Sequence, residues 1–218
     1  MNWVVSLGPS CFASYTCKRQ GLKRFSGPFD WVASSPSVLI DILETNFEHF
    51  LDRDQYTDHA NGDASRAGHA RYGDWFFCHF NPRIKKEYDY YVRCVERFRE
   101  ILKYEKVLFV IHTREFQTVD TNLILKLLGP NATLFWCHHV VTGRCMAKVL
   151  EKGPRVFRVE MRLKTPWKNC LKFSNKIEED RYDEVFNSLF KFDLKNWVEK
   201  NGDLFYELRN VTDLTIKR

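Results

Sequence analysis

The sequence predicts an α/β fold: a largely parallel central sheet flanked by helices, with a long insertion between its first and second core strands. Three observations lead there. "KVLFVIH" (residues 106–112) and "ATLFWCHH" (132–139) are continuous apolar runs, the pattern of strands buried on both faces. "TVDTNLILKLLG" (118–129), between them, reads as a helix closed by Gly129, and a strand–helix–strand unit implies parallel strands with a right-handed crossover. Near the N-terminus, residues 3–7 form a short apolar run ending in Gly-Pro, which supplies another buried strand.

The remaining elements follow in chain order. Ser10 is placed to cap a helix beginning at Cys11, and Gly21 stops it. "RFSGPFDW" is a turn-rich aromatic segment. Ser37 opens a second helix, with Leu39, Ile42, Leu43 and Phe47 on one face. Residues 52–73 have almost no aliphatic side chains and are expected to form a long polar loop. "DWFFCHF" reads as a strand, and Tyr91, Val95, Phe98 and Leu102 recur at helical spacing after it. "VFRVEMRL" alternates, so Arg158, Glu160 and Arg162 point outward from a half-exposed strand. A last strong helix starts near Glu178 with Tyr182, Val185, Phe186, Leu189 and Phe190 on its apolar face, and a further helical turn spans residues 197–202.

Composition bounds the function. The 218 residues are 44% hydrophobic, enough for one sizeable core, so a single domain over residues 1–218 is expected. No apolar stretch nears the roughly 20 residues of a membrane span, and the N-terminus lacks the layout of a secretory signal. The seven cysteines are scattered without paired spacing, which argues against a disulfide framework. These features point to a cytoplasmic chain with no membrane partner. The net charge of +6 equals the excess of residues 155–176 alone, either a solvated basic face or a surface for an acidic partner. Only Phe157, Trp167 and Phe173 interleave it, too few for a nucleic-acid stacking platform.

Ligands of open parallel sheets bind at the carboxyl ends of the strands. Here those ends deliver Gly8, Ser10 and Cys11 from the first strand, His112, Thr113, Arg114 and Glu115 from the second, and Cys137, His138 and His139 from the third. Cys11 at a helix start is placed for a stabilised thiolate, with backbone N–H groups near Ser10 to hold an oxyanion, although Pro9 contributes none. The alternative is a small buried thiol chosen for fit. Asp30, between Phe29 and Trp31, is either a turn lock or a substrate-contacting carboxylate. Arg114 is a structural ion pair or an anion clamp.

"SLGPSCFASYTCKRQGLKRFSGPFDWVASS" resembles the opening signature of the papain-like cysteine peptidase family that has long stood as a domain of unknown function: a strand ending in Ser-Leu-Gly, a cysteine three residues on, a Gly-Leu pair, then Phe-Asp-Trp. "FCHF" (77–80) and the tyrosine-rich helix leading into "VLFVIH" also fit, and the likeness covers residues 3 to about 140. The resemblance implies a thiol hydrolase acting on a peptide amide or a small acyl bond. In it Cys11 is the nucleophile and His79 the base, with Asn81 a candidate orienting group. By position at the sheet edge and in the Phe-Asp-Trp turn, Ser10, Asp30, Trp31 and Arg114 are candidate substrate contacts. His112 and His138 are alternative bases by position. Papain-like sites lie between a helix and an antiparallel sheet, which the parallel pattern of the second half does not predict.

No cofactor is implied. A metal site is not expected, because Cys78-His79 and Cys137-His138-His139 lack zinc spacing and adjacent strand residues point to opposite faces. His49, His59 and His69 read as surface residues. A rival function is a transferase, glycosyltransferase-like, holding a nucleotide-activated or anionic substrate at the same sheet edge. Against it, no GxGxxG or GxxxxGK[ST] follows the first strand.

Overall fold

The computed structural model describes residues 3–103, 106–114, 117–165 and 173–190. Its frame is a five-stranded sheet in the order β1 (Trp3–Ser6), β5 (Val107–Arg114), β6 (Ala132–Val141), β8 (Val156–Leu163), β7 (Met146–Lys152). The first four are mutually parallel, and only β7 runs against its neighbour β8. A second sheet, antiparallel, is inserted between β1 and β5 and holds β2 (Tyr56–Asp58), β3 (Ala67–His69) and β4 (Gly73–Phe77). The expected α/β architecture and its insertion are therefore what the chain forms.

Strand alternation builds two cores. Trp3, Val5, Phe109, Ile111, Leu134 and Trp136 face one side. There they meet α2 (Pro36–Glu44), α3 (Glu48–Leu51), α4 (Lys85–Ile101), α5 (Thr121–Leu128) and the small sheet. Val4, Leu108, Val110, Phe135, Cys137, Val159 and Met161 face the other side, under α1 (Cys11–Arg19) and α6 (Lys176–Leu189). No helix among the described residues is long and apolar enough to cross a membrane.

Local expectations fare unevenly. Ser10 caps α1, accepting a hydrogen bond from the Phe12 N–H at 3.4 Å, and Gly21 follows the helix at φ +70°. The second helix is capped by Ser35, not Ser37, and Phe47 lies past its end at φ +65°. The largest correction concerns residues 52–73. They form a 3-10 turn (Arg53–Gln55), β2 and β3 rather than one long loop. Polar side chains fail to signal these strands because they are short and gain their order from ladder bonds. At Gly68 a Cβ would meet Thr57 Oγ1 at 2.5 Å, Asp58 O at 2.8 Å and Asp74 Cα at 2.8 Å, so glycine lets the three strands close up. His59 and His69 are consequently buried, not on the surface. The hairpin strand β7 had no sequence signal above its exposed, mixed composition, and the predicted turn at 197–202 lies outside the described residues.

Candidate active site

Cys11 is the first residue of α1, set at the end of β1 by a tight turn through Gly8 and Pro9. Gly8 has φ +79°, a conformation costly for side-chain-bearing residues, and a Cβ there would touch Ser34 Oγ at 3.0 Å. The turn is tied on both sides: His112 N–H donates to Gly8 O at 3.1 Å, and Ser34 N–H to Pro9 O at 2.9 Å. Cys11 is buried, 5% exposed, at the point where a helix starts and its first-turn amides have no intrahelical acceptor.

The imidazole that meets it comes from the inserted sheet. His79 stands two residues past β4, and its Nε2 lies 3.0 Å from Cys11 Sγ. The residue is exposed overall, but this edge of the ring is turned onto the thiol. Desolvation and, second, the nearby Arg66 cation hold the His79 pKa below its ordinary value, which keeps the ring neutral and able to take a proton. The contact thus joins the start of α1 to the bend just past β4. The parallel pattern of the second half holds, and the antiparallel strands are confined to the insertion between β1 and β5 and to the β7 edge.

The model of the family described as "putative papain-like cysteine peptidase", a domain of unknown function, matches residues 2–129. The chain belongs to this family. A search of the curated proteins and one of the solved structures return no match. The matched segment of this papain-like family runs from β1 through α5, so it includes both Cys11 and His79.

The other expected site residues divide. Trp31 packs edge-on to the His79 ring, centroids 5.3 Å apart. Asp30 is buried and accepts from Gly27 N–H at 2.7 Å and from Lys23 Nζ at 2.6 Å. Lys23 also donates to Ser14 Oγ on α1 at 2.6 Å and lies 5.0 Å over the Trp31 ring. Asp30 thus ties the Gly27 turn to Lys23, and Lys23 and His79 both lie against the Trp31 ring. Lys23 is the residue that sequence reasoning missed: it meets Asp30 through the irregular turn of residues 22–30, where no helical or strand periodicity relates the two positions.

Asn81 does not orient His79. Its amide donates to Ala64 O at 2.8 Å and accepts from Arg83 N–H and Nε, and its own N–H goes to Glu87. Past β4 the chain bends at Cys78 and His79, so the expected strand alternation that would put 79 and 81 on one face is lost. His112 is not an alternative base for Cys11 either. Its nitrogens are engaged by His139 Nε2 at 2.8 Å and Tyr182 OH at 3.1 Å, and burial pushes its pKa down to about 3. His138 lies on the opposite face of β6 from His139, with Nδ1 3.2 Å from Thr113 Oγ1. Arg114 sits exposed at the end of β5.

Burial pushes Cys17 and Cys94 up to about 12 and Cys137 well above the usual thiol range, so these stay protonated. The basic stretch is locally engaged: Arg155 Nε bonds Ala132 O at 3.0 Å, Arg158 lies 4.3 Å over Trp136, Arg162 pairs with Glu160 and Lys176 with Asp180. Its Lys168 and Lys172 lie outside the described residues, as do Glu115, Trp167 and Cys170.

Proposed function

We propose that the chain is a cysteine-dependent hydrolase cleaving a peptide amide or a small acyl bond, with Cys11 as nucleophile and His79 as general base. The observation that carries this reading is the 3.0 Å separation of Cys11 Sγ and His79 Nε2 at the start of a helix. The sulfur attacks the carbonyl carbon of the substrate while its proton passes to His79 Nε2. That proton then leaves with the amine or alcohol, and the acyl group stays on sulfur as a thioester. Water, deprotonated by the same imidazole, releases the acid and restores the thiol. In this reading the other first-turn amides of α1 donate to the developing oxyanion, Phe12 N–H being held by Ser10 Oγ.

No amide or carboxylate side chain holds the outer nitrogen of His79 among the described residues, so Trp31 fills the orienting role. The indole restricts the ring's rotation, and the Lys23–Asp30 pair fixes the indole.

Acyl trapping tests the reading. Acid quench during the first turnover with p-nitrophenyl acetate, followed by intact-mass and peptide mass spectrometry, is expected to trap one acetyl group on Cys11 of the wild-type chain. C11S should carry none, and H79A should acquire it at least about tenfold more slowly. Acetylation spread over lysines with Cys11 unmodified would refute the assignment.

A further inference from the structure

A second set of reactive side chains lies under α1 and α6, apart from the thiol–imidazole pair. His112 on β5 and Cys137 on β6 are direct register partners, and His139 is two residues beyond Cys137 on the same face of the sheet. Their ligand-type atoms all lie within 4.8 Å of one another. His112 and Cys137 are fully buried and His139 is 3% exposed. The Phe12 ring covers both imidazoles, 4.9 Å from His112 and 5.2 Å from His139, and Phe173 stacks on His139 at 5.7 Å.

We propose that His112, Cys137 and His139 bind one d10 cation of the zinc and copper(I) class. The donor set is one thiolate and two imidazoles, which suits these ions and is poor for magnesium or calcium. Neighbouring strands supply the ligands, so the loop spacings that mark zinc sites in a sequence are absent. His112 would ligate through Nδ1, because its Nε2 faces Tyr182 OH at 3.1 Å, the kind of outer hydrogen bond that fixes a ligating imidazole. His139 would ligate through Nε2. These two nitrogens are 2.8 Å apart. An ion bound at about 2.0–2.1 Å in tetrahedral geometry spaces its ligands about 3.3 Å apart, so binding opens the pair by roughly half an ångström.

Charge separates the two ions. Binding releases the Cys137 proton to solvent. A monovalent copper ion then leaves the site neutral, which suits full burial. A zinc ion leaves one positive charge and calls for an anionic fourth ligand. Metal content decides between them, and the proposal does not rest on the hydrolase reading, since Cys11 takes no part.

The test is elemental analysis of the full chain, expressed in medium supplemented with zinc or with copper under reducing conditions and then dialysed. About one equivalent of zinc or copper per chain is expected in the wild type and in C11S. C137A and H139A should fall at least about tenfold. Less than about a tenth of an equivalent of either metal in the wild type overturns the proposal, as does equal retention by C137A. Should the variants fail to fold, wild-type chain refolded with and without one equivalent of Zn2+ or Cu+ gives the second reading: a Tm raised by one of these ions supports the site, and a Tm indifferent to both refutes it.

Discussion

Replacing Asp30 by Asn probes the brace beneath the candidate catalytic pair. The Asp30 carboxylate is 3% exposed and Lys23, 2.6 Å away, is 13% exposed, so the pair is shielded from water that would otherwise screen it. Breaking a buried pair by removing one partner costs about 3–5 kcal/mol, because a charge is left without its counter-ion. Asn retains an acceptor for Gly27 N–H, and the Lys23 ammonium keeps Ser14 Oγ and the face of Trp31. The loss should therefore sit at the low end, about 3 kcal/mol. Urea unfolding followed by tryptophan fluorescence measures it. The companion variant K23M and the double variant D30N/K23M close a cycle. The double variant is expected to be more stable than D30N alone, since no uncompensated charge remains. A D30N loss below about 1 kcal/mol, the level of an exposed ion pair, or strict additivity in the double variant, would refute the view of Asp30 and Lys23 as a buried brace.

Further outcomes follow from other contacts. G68A should destabilise the chain by about 1–3 kcal/mol, read as a lowered urea midpoint, since its Cβ would meet backbone atoms of both neighbouring strands. N81A should lose about 1–3 kcal/mol by removing the tie between Ala64 and Arg83, while acetylation of Cys11 stays within a few-fold of wild type; a large catalytic loss would restore Asn81 as the orienting group. His79 is expected to titrate below 6.5, because desolvation and the Arg66 cation both disfavour the imidazolium, so the neutral base persists to lower pH than for an ordinary histidine. NMR titration of C11S should show that midpoint, and R66Q should raise it; a midpoint at or above 6.5 in C11S contradicts the assignment.

The parts of this molecule that could be read in advance are those where one physical signal dominates. Continuous apolar runs announced β5 and β6, and Gly129 closed the helix between them. Cys11 was legible because a strand, a Gly-Pro turn and a capping serine converge on one residue. His79 was named from family resemblance, since nothing in its local pattern distinguishes it from a turn histidine. The short strands β2 and β3 were illegible because close backbone approach at Gly68, rather than side-chain periodicity, holds them. Lys23, and the cross-strand meeting of His112 with Cys137 and His139, depend on register and turn geometry that spacing along one chain does not encode.

The most direct test of the thiol–imidazole pair is the rate of carboxamidomethylation of each cysteine at neutral pH, followed by peptide mass spectrometry, in the wild type and in H79A. Cys11 should react at least about a hundredfold faster than Cys17, Cys94 and Cys137, and should lose most of that advantage without His79. Reaction of Cys11 at the pace of the buried thiols, or at an unchanged rate in H79A, would contradict the account.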